Sequence, residues 1–122
     1  MNLKTACFAC ILLLIAFSGF AQGGGTQRTV EERVKMTMDS LKINIALTEA
    51  QVPATDSIFT AFYAEMDQLR QSGQRPERAV VEAKINERDE KLKKVFTADQ
   101  FAKYKTWEAE RRERMRAQRP NN

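Results

Sequence analysis

The chain has 122 residues, of which 30% are charged and 43% hydrophobic, with a formal net charge of +4, no histidine and two cysteines. The length suits one domain. Without histidine, and with both cysteines among the first ten residues, most of the side chains that build metal centres, thiolate nucleophiles and imidazole bases are excluded.

Taken in order, Met1 to Lys4 form a charged start, Ala6 to Phe17 an apolar run, and Ser18-Gly19-Phe20-Ala21 a stretch dominated by small residues before Gln22. This order predicts a secretory signal peptide over residues 1–21, cleaved after Ala21, and hence export to the periplasm. The apolar run falls short of the ~20 residues that cross a bilayer, so no stable membrane anchor is expected after cleavage. An uncleaved anchor is the alternative. A lipid anchor on Cys10 fits less well, because most of the apolar run follows that residue. Cleavage removes Cys7, Cys10 and Lys4, which leaves 19 basic against 16 acidic residues, a net of +3. The mature chain then has no thiol, so no disulfide and no cysteine-bound metal are expected. Carboxylates alone can bind calcium, but no Asp-rich loop has the required spacing. Neither a cofactor nor a metal is expected.

Residues 22–28 are Gly-rich and predict a flexible mature N-terminus. The spacing Thr29-x-x-Glu32 is a capping box that opens a first helix, from about Val30 to Ala46. On it, Val34, Met38, Leu41 and Ile45 form one apolar stripe, and Met36, Ile43 and Leu47 a second, nearly opposite. A helix apolar on two sides is buried on both or keeps one side for a partner, and the sequence leaves that open.

Thr48 opens a second helix, to about Ser72. Pro53 removes one intrahelical bond near its start, which predicts a kink or a restart there. Beyond it, Val52, Thr55, Phe59, Phe62, Met66 and Leu69 keep the 3-4 rhythm of a packing seam. Gly73 is a natural stop. Pro76 suits the first turn of a third helix, whose seam Val81, Ile85, Leu92 and Val95 is interrupted by Arg88. The other residues of that helix, Asp89 included, alternate in charge as a solvated face does. Thr97 opens a fourth helix, about Ala98 to Arg116, on which Phe101, Tyr104 and Trp107 can pack before the apolar stripe fades to Met115. Glu108 to Arg119 reads as an exposed basic helix, and residues 117–122 as a disordered tail. No stretch alternates apolar and polar residues as a strand does. The expected architecture is all-α, with about four helices over residues 29–116. Its seams are thin and its core small, so a homodimer is the natural completion.

Two stretches stand out, Leu47-Thr48-Glu49-Ala50-Gln51 and Phe96-Thr97-Ala98-Asp99-Gln100. Each reads apolar-Thr-x-x-Gln. The Thr hydroxyl can accept from the amide three residues on, the Gln can reach back to the Thr N–H, and the leading apolar residue can staple the first turn. Glu49 and Asp99 add an acidic group where the helix dipole favours it. With the signal peptide and the surrounding helices, the chain resembles the LTxxQ-motif family of periplasmic proteins, the Spy/CpxP-like group, over about Thr29 to Met115. The second motif departs at one letter, Phe96 for Leu.

The resemblance implies a hairpin-rich helical protomer paired into a thin, curved, cradle-like dimer. It also implies one of three roles: an ATP-independent chaperone that holds non-native proteins under envelope stress, an accessory regulator that docks an envelope-stress sensor kinase, or a metal-binding branch. The lack of histidine, and of cysteine after cleavage, weighs against the third.

The residues themselves support no enzyme: there is no Ser/His/Asp set, no Gly-rich phosphate loop and no metal triad. The leading expectation is a holdase for unfolded or non-native proteins, with Met36, Ile43, Tyr63 and Met66 as the apolar client surface and the excess of Lys and Arg for electrostatic capture. The alternative is the kinase regulator, which would use one specific patch. Nucleic-acid binding is disfavoured by export, by the small net charge and by the glutamates set among the arginines of the last helix.

Overall fold

The computed structural model describes residues 27–120. The signal-peptide segment with Cys7 and Cys10, most of the Gly-rich stretch and the last two residues lie outside them. The described residues form four α-helices and one 3-10 turn, with no strand among them: α1 Val30–Asn44, the turn Glu49–Gln51, α2 Val52–Gln71, α3 Arg78–Val95 and α4 Ala98–Ala117. The chain is all-α. Among the described residues no helix is long and apolar enough to cross a membrane.

The local signals explain most boundaries. At α1 the capping box is complete: the Glu32 N–H donates to Thr29 Oγ1 at 3.2 Å, and the Thr29 N–H donates to Glu32 Oε2 at 2.9 Å. α1 ends at Asn44, two residues before its expected end at Ala46. Ala46 has φ +53°, in the left-handed region, where a Cβ meets its own carbonyl and helix geometry cannot continue. That reversal turns Leu47 into the core, where it is 8% exposed.

The second helix restarts rather than kinks. A single 3-10 turn follows Thr48, and α2 then opens at Val52 with Pro53 in its first turn, where a missing N–H costs no hydrogen bond. α2 stops before Gly73, whose φ of +78° suits glycine. α3 starts at Arg78 and not at Pro76. The backbone at Glu77 is still extended, with ψ 140°, and this residue provides no side-chain cap. α4 runs one residue past its expected end, to Ala117.

α2 is the middle element. It packs along α1 on one side and α3 on the other, and α4 closes against both α1 and α3. Val34, Met38, Leu41 and Ile45 are all buried, so the denser stripe of α1 faces the core. They meet Leu47, Phe59 and Tyr63 from the first motif and α2, Leu92 from α3, and Phe96 and Tyr104 from the second motif and α4. Tyr104 is fully buried and sits edge-on to Phe59 and Phe96, with ring centroids 6.4 and 5.8 Å away. Full burial of a residue such as Phe59 or Leu41 contributes roughly 1.5–3 kcal/mol.

Two expectations about charge are corrected. Asp89 and Glu108 are not on solvated faces: both are 7% exposed, and Arg88, which interrupts the seam of α3, is 6% exposed. Their mutual contacts, described next, are the physical reason.

Candidate functional site

Three features rise from this fold: a paired amide junction, a buried ionic cluster and an open groove.

The junction joins the two Thr-x-x-Gln motifs. Gln51 Nε2 donates to Gln100 Oε1 at 2.7 Å, and Gln100 Nε2 donates to Gln51 Oε1 at 2.9 Å. Each oxygen also accepts from the N–H of its own threonine, Thr48 at 3.1 Å and Thr97 at 3.0 Å. Each amide nitrogen spends its second hydrogen on the carbonyl just before the other motif, Gln51 on Val95 at 3.0 Å and Gln100 on Ala46 at 3.4 Å. Two donors and two acceptors per glutamine are thereby all used. The backbone N–H groups can only donate, so they set which way each amide faces. The arrangement is a local two-fold: the same motif, met by its own image, locks the α1–α2 corner to the α3–α4 corner.

The two caps differ in detail. The Gln100 N–H donates to Thr97 Oγ1 at 3.1 Å, whereas the Gln51 N–H donates to the Thr48 carbonyl at 3.0 Å, in keeping with the 3-10 turn. Leu47 and Phe96, the leading apolar residues, are both buried.

The ionic cluster lies between α3 and α4. Arg88 donates to Asp89 Oδ1 at 2.9 Å and to Glu108 Oε1 at 2.5 Å. Lys105 Nζ donates to Asp89 Oδ2 at 2.6 Å and the Tyr104 hydroxyl to Asp89 Oδ1 at 3.2 Å. Arg112 reaches Glu108 Oε1 at 3.3 Å. The Arg88 guanidinium also lies 4.5 Å from the Phe62 ring centroid.

Burial alone would raise the Asp89 carboxyl, but the hydrogen bond from Lys105 and the charge of Arg88 outweigh it and hold it below 3.8. Burial also works against the Arg88 charge, but the Tyr104 oxygen and the Glu108 and Asp89 carboxylates more than offset it. The Tyr104 phenol is pushed well above its ordinary range, first by burial. Arg88 thus ties a carboxylate of α3 to one of α4, a structural clasp between the two helices, in which Glu108 Oε2 alone is buried without a hydrogen bond.

The groove runs between α1 and α4. It is open, has a volume of about 620 Å³, and is lined by Met36, Tyr63, Trp107 and Met115 with Arg28, Arg33 and Arg111 among its polar residues. Met36 is 48% and Met115 54% exposed, so neither side chain is committed to the core. Thr37 and Tyr63 share a hydrogen bond of 2.8 Å beneath it, and the Arg33 guanidinium lies 5.0 Å from the Tyr63 centroid while pairing with Asp67. Arg111 sits over the Trp107 ring at 5.4 Å.

Of the four residues expected to form a client surface, Met36 and Tyr63 line this groove. Tyr63 is nonetheless 8% exposed, a floor residue held by Thr37 rather than a free surface group. Met66 is also 8% exposed, because it continues the packing seam of α2, and it does not line the groove. Ile43 is 84% exposed but lies outside the groove lining. Trp107, Met115 and the arginines were missed as a surface. The signal available was the stripe Trp107, Arg111, Met115, spaced four by four along α4, facing another helix's stripe that only the fold brings near.

Among the described residues, no cluster of three or more His, Cys, Asp or Glu side chains is placed to hold a metal ion. The fold and the groove together define an all-α protein with an open, amphiphilic groove. No family model, no curated protein and no solved structure matches the chain.

Proposed function

We propose that this chain is an exported, ATP-independent holdase that binds non-native proteins in the periplasm, as a member of the LTxxQ-motif group and as a homodimer. The observation that carries the reading is the groove: two half-exposed methionines and a tryptophan, edged by arginines, on a face that the protomer's own packing leaves open. Methionine adapts its shape to irregular partners, which suits a surface for many clients. Arginine provides attraction beyond contact range, screened over ~8 Å at physiological salt. The N-terminal charge and apolar pattern supports export, and the small core supports pairing.

The test is an aggregation assay with two unrelated unfolding proteins and no ATP. Suppression of both is expected. Suppression of neither, with tight binding to a single kinase sensor domain, would overturn the reading in favour of a dedicated regulator.

A further inference from the structure

Charge is interleaved almost everywhere on this chain: α1, α3 and α4 are covered by lysine and arginine pairs with glutamate and aspartate. The groove is where that interleaving stops. Its lining contains three arginines and no carboxylate. Arg33 already has Asp67 as a partner. Arg28 and Arg111 form no ion pair and no side-chain hydrogen bond among the described residues; the Arg111 guanidinium lies over the face of Trp107. A guanidinium is built to bind a carboxylate through two parallel N–H donors. Two of them at an apolar floor are complementary to a carboxylate that travels with a bulky apolar neighbour.

We propose that the groove selects acidic apolar segments, in which Glu or Asp lies beside Phe, Leu or a similar side chain, the carboxylate meeting Arg28 and Arg111 and the apolar group resting on Met36, Trp107 and Met115. This rests on the reading of the groove as the client surface and names the class of segment it takes. Basic and neutral segments of equal hydrophobicity bind less well.

Trp107 is the single tryptophan of the chain, so its fluorescence reports the groove directly. The probes are a short synthetic peptide with glutamates flanking Phe and Leu, its Glu→Gln and Glu→Lys counterparts, and phosphatidylglycerol vesicles. The Glu peptide is expected to shift Trp107 emission saturably and to bind about tenfold tighter than the Gln peptide at low salt, the scale of two exposed charge contacts. The Lys peptide should bind more weakly still.

Arg28→Gln with Arg111→Gln should bring the Glu and Gln peptides to equal affinity, in a variant whose cooperative melt shows that it is folded; a Glu preference that survives in the folded variant overturns the proposal. Equal affinity for the three peptides overturns the proposal. So does binding of the vesicles with no response to any peptide, which would make the occupant an anionic lipid surface. The aggregation assay separates this from the broader reading. Intact suppression without acid preference overturns the selectivity alone, and acid preference without suppression supports the selectivity and overturns the holdase.

Discussion

Arg88 is the residue on which the α3–α4 contact turns. Its guanidinium satisfies two carboxylates at once and covers the face of Phe62. Arg88→Ala removes the cation and leaves Asp89 and Glu108 buried side by side, with Lys105 and Arg112 as their remaining partners. A loss of roughly 3–5 kcal/mol is expected on breaking such a buried pair, read by urea unfolding. Lysine is a poor substitute, since its ammonium has neither the planar fork of donors nor the flat face that Arg88 lays against Phe62.

The same cluster sets a pH dependence. Asp89 is held below its ordinary 3.8 in the folded state, so the unfolded chain takes up a proton first as pH falls. The stability due to Asp89 is therefore complete above about pH 5 and is lost progressively as pH drops through the folded value. Thermal melts between pH 7 and pH 3 should show this fall, and Asp89→Asn should flatten it at the cost of lower stability at neutral pH. An unchanged acid limb in Asp89→Asn would show that other carboxylates govern it.

At the scale of elements, the caps and the corner between them carry the predictions. Thr97→Ala deprives the Gln100 amide of its hydroxyl partner and should cost ~1 kcal/mol. Thr48→Ala should cost less, because the Gln51 amide is already bonded to a carbonyl.

The glutamines are coupled more strongly than either threonine. Gln51→Ala and Gln100→Ala each leave the partner amide with an unmatched donor and acceptor in a poorly solvated corner. The double mutant should be less damaged than the sum of the singles by about 0.5–3 kcal/mol in a double-mutant cycle. Additive losses would mean that the reciprocal pair is not an energetic unit.

Ala46 tests the corner from the backbone side. Its φ of +53° costs a residue with a Cβ roughly 1–2 kcal/mol, and glycine avoids that cost. Ala46→Gly should raise the melting temperature once the greater freedom of the unfolded chain, about 0.4–1 kcal/mol, is offset.

For the whole molecule, the question is which face stays open. Met36→Ser should leave stability within about 0.5 kcal/mol of the parent and weaken aggregation suppression, since Met36 is a groove residue half in solvent. Ile43→Ser should leave both nearly unchanged, because Ile43 is exposed and not part of the groove lining. A loss of suppression in the second variant but not the first would move the client surface to the other side of α1. If the protein pairs as proposed, its melting temperature should rise with concentration, and sedimentation should show a dimer at micromolar levels.

By itself, the sequence determined what depends on near neighbours along the chain. The four helices, the capping boxes at Thr29 and Thr97, the stop before Gly73 and the existence of the apolar stripe Val34, Met38, Leu41 and Ile45 are each set by residues within a turn or two of one another, where 3.6-residue periodicity and capping chemistry decide.

Tertiary structure alone decided whatever needs partners far apart in sequence. Arg88 could be seen breaking a seam, but Glu108, twenty positions away on another helix, is what makes its burial tolerable. Gln51 and Gln100 could each be assigned to a cap, but their bond to one another spans 49 positions. The groove belongs to the same class. Met36, Trp107 and Met115 belong to two helices far apart in the chain, and packing against α2 and α3 leaves their stripes facing one opening. Local periodicity names the faces of a helix, but which face stays in water is set by how many neighbours the fold supplies.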